Sequence, residues 1–190
     1  MDLEISKHET NVFPRIGSQN SKSFFFFAQL ALRIVVIAFT LAGAIIMVTS
    51  QQTVSIFGIA LKASYSYSSS FRFNVVANSI VCGLVVLSMV LVITLNHPKW
   101  NPKNHFYLFL LDMVSLLVLL SGSSAAMAIG YLGRFGQSKT GWMPVCDRVP
   151  KFCDKIILSI VSSFVAVICL LVLTIMSAHK LKPEITVHAI

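Results

Sequence analysis

Four long apolar stretches, at about Phe24 to Ser50, Val75 to Leu95, Phe106 to Leu132 and Ile156 to Ala178, constrain this chain more than any other feature. Each reaches or exceeds the roughly 20 residues a helix needs to cross a bilayer. Polar or Pro-containing breaks such as NHPKWNPKNH separate them. Lipid offers no water to an unpaired amide, so each stretch must satisfy its backbone internally, as a helix. The chain is only 12% charged, 56% hydrophobic and has a mean hydropathy of +0.81, against about 25% charged residues in an average soluble domain. The predicted class is an all-α membrane protein, a four-transmembrane-helix bundle over residues 24–178. Residues 1–23, rich in Ser and Asn, are expected as a disordered cytosolic tail, and residues 179–190 as a second cytosolic tail. The first run is too long, and its start too far from the N-terminus, for a cleaved signal, so it reads as a retained anchor. Asp2 stands where N-myristoylation requires glycine.

Net charge is +8, but the 15 basic residues are scattered through every loop and both tails. No basic stripe with interleaved aromatics appears, so lipid headgroups rather than nucleic acid are the expected neighbours. An even number of spans puts both termini on one side. Basic residues outside the spans divide equally between the two sides, and the rule gives most weight to the first helix. There Arg15 and Lys22 precede the span while Lys62 follows it, which favours cytosolic termini.

Cysteines bear on the same question. Cys146 and Cys153 lie in GWMPVCDRVPKFCDK at a spacing a tight turn can bridge, and disulfides persist outside the cytosol. A zinc site is the competing reading, weakened by the lack of a nearby histidine. Cys82 and Cys169 fall within spans, where a thiol usually packs as a small apolar residue.

Two charges interrupt the spans. Arg33 sits in LALRIVVIAFTLAG and Asp112 in the third span. With the first and third spans running the same way, they lie roughly 13 Å and 9 Å deep at about 1.5 Å per residue. Each costs about 2.5 to 3.5 kcal/mol near a helix centre, so a cation and an anion at like depth have reason to meet. Helical phase places Asp112, Ser115, Leu119, Gly122 and Ala126 on one face, and Gln29, Arg33, Thr40 and Ala44 on another. The alternative is that each charge snorkels alone to the headgroups.

Other features are weaker. The histidines, His8, His97, His105, His179 and His188, fall outside the expected spans, and no HExxH or intramembrane acid pair appears, so no metal or cofactor is expected. Asn78 reads as a helix-to-helix hydrogen bond. Small pairs four apart, Gly122 with Ala126, Ser159 with Ser163 and Ser162 with Ala166, read as close-packing positions. In the first loop, SYSYSSS alternates like a strand and invites a short β-hairpin with TVSIF. Trp100 and Trp142 lie near span ends, as interfacial aromatics do.

Arg in the first span, FRFNVVANSIVCG opening the second, Asp in the third, and GRFGQSKTGWMPVCDRVPKFC before the fourth together resemble the plant CASP-like proteins, the wider family of the Casparian strip membrane domain proteins, and their first subfamily in particular. The resemblance covers about residues 24 to 180. Arg33 and Asp112 match family hallmarks, and Trp142, Cys146 and Cys153 match the family's Trp-then-paired-Cys loop. It implies a plasma-membrane tetraspan with cytosolic termini that forms homo- and hetero-oligomers with other CASP-like proteins. In the Casparian strip members it implies a polymeric platform that recruits secreted wall-modifying enzymes. Residues 51 to 74 depart from those members: they hold no acidic residue where the family signature begins Glu-Ser-Leu. A distant likeness to animal MARVEL-domain tetraspans fits the same theme. The functional expectation is a non-enzymatic scaffold that assembles laterally and organises membrane–cell wall domains. The alternative is a small channel or transporter using the Arg33 and Asp112 charges.

Overall fold

A computed structural model describes residues 15–56, 59–95, 104–137, 139 and 141–188. Helix α1 spans Arg15–Val48, α2 Ser69–Leu95, α3 Asn104–Phe135 and α4 Pro150–His188. Each contains a stretch long and apolar enough to cross a membrane: Phe24–Val48, Ser69–Thr94, Phe106–Phe135 and Pro150–His179. Between α1 and α2 lie strands β1, Gln51–Ile56, and β2, Ile59–Ser64, followed by a 3-10 turn at Tyr65–Tyr67.

The helices extend past the apolar runs. Residues 15 to 23, expected within a disordered tail, form the first turns of α1, and α4 continues to His188 through residues expected as a tail. Once a span has nucleated a helix, each further residue other than Pro183, which has no N–H, adds a hydrogen bond without repeating the nucleation cost, so polar flanks are recruited. Pro150 opens α4, where its missing N–H would be unpaired in any case. The expectations for residues 1–14, His8, His97 and Trp100 lie outside the described residues.

Side-chain contacts fix the topology. Arg33, toward the start of α1, meets Ser88 toward the end of α2, and Gly43, further along α1, meets Asn78 nearer the start of α2. Neighbours therefore run antiparallel. The main interhelical packing joins α1 to α2, α2 to α3, α3 to α4 and α4 back to α1, leaving α1 and α3 on the diagonal of a closed ring.

Layers stack along the bundle axis. Val36, Val81, Val85, Leu119, Leu170 and Leu173 fill the middle. Met47, Phe71, Ala126, Ile156 and Ile160 fill the end nearer the hairpin. Apolar side chains also coat the outside, for example Phe27, Ile45, Leu87, Leu117 and Ile168. That inversion is expected where the solvent is lipid, and it leaves polar and small residues to decide how the helices meet.

The hairpin exists, with a different second strand. β1 pairs antiparallel with IALKAS, Gln51 opposite Ser64 and Ile56 opposite Ile59. SYSYSSS is not a strand: the Ser64 side chain accepts from the Ser66 N–H and starts the 3-10 turn, and α2 begins at Ser69. Serine hydroxyls offer the backbone a local partner and so bend it.

Candidate functional site

Arg33 on α1 and Asp112 on α3 form a two-point ion pair, Nη1 to Oδ1 and Nη2 to Oδ2, both at 2.8 Å. Their side chains are 0% and 1% exposed. The other two helices complete the site. Ser88 of α2 accepts from Arg33 Nη1 and donates to the Val85 carbonyl, and Ser177 of α4 donates to Asp112 Oδ2 at 2.9 Å. One residue from each helix therefore meets at a single level. Inserting two charges costs about 5 to 7 kcal/mol on insertion scales. Four hydrogen bonds to charged groups, at about 1.5 to 3 kcal/mol each, offset that cost, and the planar fork of arginine fits a carboxylate at two points. Neither charge snorkels.

Ser88 and Ser177 escaped the sequence reading, although a signal was present. On α2, Asn74, Asn78, Val81, Val85 and Ser88 are all buried at spacings of four and three, and on α4 so are Ser159, Ser163, Ala166, Leu170, Leu173 and Ser177. Extending either stripe by one turn reaches the missing serine.

A second polar layer lies toward the hairpin. Asn78 Nδ2 donates to the Asn74 carbonyl at 2.9 Å and to Ser163 Oγ on α4 at 3.1 Å. Ser159 Oγ donates to the Gly43 carbonyl at 2.7 Å, and Ser162 Oγ to the Phe39 carbonyl at 2.9 Å. Serines on α4 thus hydrogen-bond the backbone of α1, which requires close approach. Gly43 provides it: a Cβ there would lie 3.1 Å from Ser163 Oγ. Ala44, placed on the inner face by sequence, is half-buried, and Gly43 takes the inward position.

On α3, Asp112, Ser115, Leu119, Gly122 and Ala126 are all buried, as their spacing implies. Gly122 abuts α2 so closely that an added Cβ would come within 2.6 Å of the Ala77 Cβ. Gly122, Ala126, Ser159, Ser163, Ser162 and Ala166 are buried within one chain, so these small-residue faces are used to close the bundle. Among the described residues, no group of three His, Cys, Asp or Glu is placed to hold a metal.

At the hairpin end of the bundle, Cys146 in the loop before α4 and Cys153 in the first turn of α4 are disulfide-bonded, with Cα atoms 5.7 Å apart. Within the bonded turn Val149 and Phe152 pack with the two cysteines, and the cluster rests on Ala63 of β2. Gln52 Oε1 accepts from the Phe152 N–H at 3.0 Å, and Ser50 Oγ donates to the Phe152 carbonyl at 3.3 Å, so the hairpin and the start of α4 form one cap. Gly133 at the end of α3 accepts from the Val145 and Cys146 N–H groups. Trp142 is 62% exposed at this end.

Four membrane-spanning helices closed around a shared ion pair, with a disulfide-stapled cap at one end, define a multi-pass membrane protein of the tetraspan class. The chain belongs to the Casparian strip membrane protein domain family, which it matches over residues 22–169. It is 46% identical over 170 residues to CASP-like protein 1F2 of Ricinus communis, covering 89% of this chain and 85% of that one. It is 44% identical over 182 residues to CASP-like protein 1F2 of Vitis vinifera, covering 95% of each. CASP-like protein 1F1 of Arabidopsis lyrata subsp. lyrata is 33% identical over 154 residues, 81% of this chain and 89% of its own length. No solved structure matches the chain.

Proposed function

We propose that this protein is a non-enzymatic plasma-membrane scaffold that assembles laterally with itself and with other CASP-like proteins, its termini cytosolic and its disulfide cap outside. One observation carries the reading: the intramembrane charges are spent on each other, with a serine from each remaining helix, inside a closed bundle. Such a closed unit suits a building block better than a carrier. At mid-bundle the axis is filled by fully buried Val36, Val81, Leu119 and Leu170, which counts against the channel reading. Lateral assembly is supported by family membership, and it has the exposed outer faces to use, since the pairs Gly122 with Ala126, Ser159 with Ser163 and Ser162 with Ala166 are buried within the chain. The organised domain would border the cell wall and gather secreted wall-modifying enzymes. Crosslinking in native plant membranes tests it: ladders of two or more chains are expected, and monomer bands across a range of crosslinker lengths would refute assembly.

A further inference from the structure

An apolar cavity of about 390 Å³ lies at the capped end of the bundle, between the start of α2, the end of α3, the start of α4 and the disulfide turn. Its floor includes Phe71, Ile129 and Ile156, which belong to the membrane-spanning stretches, and its rim includes Tyr67, Trp142 and Met143, which are exposed. Ligand pockets begin at about 300 Å³. Its place in the fold sets what can enter. Phe71 and Ile156 fall near the starts of their apolar stretches and Ile129 near the end of its own, while Tyr67 and Trp142 lie just outside them, where aromatic residues prefer the interface. An apolar hollow at the end of the spans opens where headgroups give way to acyl chains.

Charge carried by the sequence neighbours of the lining adds a second constraint. Arg72, Arg134, Arg148, Lys151 and Lys155 are exposed, and each is next in sequence to a lining residue: Phe71, Gly133, Val149, Phe152 and Ile156. Only two acids are placed likewise, Asp147 beside Cys146 and Asp154 beside Cys153. Arg134 lies 3.7 Å from Asp154, joining the end of α3 to the start of α4. Among the described side chains, five such cations stand against two anions, an excess that favours an anionic headgroup.

We infer that this cavity is a lipid site: it takes an acyl chain of an anionic phospholipid from the leaflet on the capped side, with the headgroup on the basic rim. The site is built by the same disulfide turn that caps the bundle, so occupancy ties the cap to the surrounding leaflet. The inference is independent of which side of the membrane the cap faces and of whether the chain assembles.

The test uses full-length protein in nanodiscs containing a phospholipid with a diazirine-bearing tail, carrying either a phosphatidylglycerol or a phosphatidylcholine head, with adducts mapped by mass spectrometry. Adducts are expected to concentrate on residues 129–133 and 142–157 and to be about fivefold stronger with phosphatidylglycerol, the effect of about one basic side chain. Gly133→Leu places a side chain in the cavity from a position where a Cβ meets only Cys146 Sγ, at 3.8 Å. It should reduce these adducts about tenfold, the effect of displacing about two methylenes. Gly83→Leu, where a Cβ would meet nothing within 4 Å, should leave them unchanged. Arg134→Gln should weaken the headgroup preference and keep the tail adducts, and it tests the rim even if Gly133→Leu fails to fold. Adducts spread evenly over the outer faces of all four helices, or equal in Gly133→Leu and wild type with the disulfide intact, would overturn the proposal. Equal labelling by the two headgroups would overturn its anionic part.

Discussion

Arg33 and Asp112 face each other across the diagonal of the bundle, not between adjacent helices. A bond along the diagonal constrains all four helices, because α2 and α4 must close on either side of it. Ser88 and Ser177 mark that closure by adding one hydrogen bond each from the flanking helices. The ion pair therefore sets the register of the whole bundle. Buried pairs are weak evidence of net stability, but they resist any arrangement that separates them.

The serines should matter less than the charges they touch. Ser177→Ala removes one donor to Asp112 and leaves the two-point pair in place. A loss of about 0.6 to 1.7 kcal/mol is expected, the range for interhelical hydrogen bonds in membranes. Unfolding in mixed detergent micelles reads the difference. A loss as large as that of Asp112→Asn would mean that Ser177, not Arg33, holds the carboxylate.

Gly122 is a contact position that should not tolerate a methyl group. Gly122→Ala forces a Cβ to within 2.6 Å of the Ala77 Cβ, and overpacking of this kind costs about 1 to 3 kcal/mol. Gly122→Ala combined with Ala77→Gly should recover most of the loss. Gly83→Ala, which meets open space, is the matched control and should be neutral or slightly stabilising. The same unfolding assay compares all three.

The cap makes a thiol-counting prediction. Cys82 and Cys169 are the free cysteines, and Cys146 and Cys153 are bonded. Denatured, unreduced protein should take up two maleimides, rising to four after reduction. On intact protoplasts, an impermeant reductant followed by an impermeant maleimide should label the Cys146 and Cys153 turn, because the cap faces outward in the proposed orientation. Labelling of that turn only in inside-out vesicles would reverse the orientation.

Losing the disulfide should open the cap rather than the bundle. Cys146→Ser with Cys153→Ser removes a short loop closure worth about 2 to 3 kcal/mol in the chain-entropy account. The Arg33 and Asp112 layer lies at the opposite end, so the helices should persist. Trypsin should then cut faster at Arg148 and Lys151, which are exposed within the stapled turn. Unchanged cleavage would show that the contacts of Phe152 with Gln52 and Ser50 hold the cap alone.

The charges were legible because each stands out against an apolar run and depth can be counted from the span ends. The α3 face was legible because Asp112, Ser115 and Gly122 mark it. On α2 and α4 the signal faded, since side chains facing lipid, such as Leu87 and Leu171, are as apolar as core residues such as Val85 and Leu170. Hydrophobic periodicity needs a polar solvent to create contrast. Ser88 and Ser177 carry the phase there, and a lone serine in a span is easily passed over. Gly43 was missed for Ala44 because neighbouring small residues look alike until a contact distinguishes them. The hairpin was foreseen from TVSIF, but its partner was misassigned. The alternation in SYSYSSS imitates a strand, while the Ser64 hydroxyl bonded to the Ser66 N–H turns the chain instead.

The central claim is the direct bond between Arg33 and Asp112, and a double-mutant cycle measures it most directly. Arg33→Leu and Asp112→Leu should each destabilise the protein by about 3 kcal/mol or more, because each strands a buried charge. The double variant should lose about 2 kcal/mol less than the sum, and the exchange of Arg33→Asp with Asp112→Arg should recover part of the loss. Additivity within about 0.5 kcal/mol, with an exchange as damaging as the two single changes together, would contradict the account.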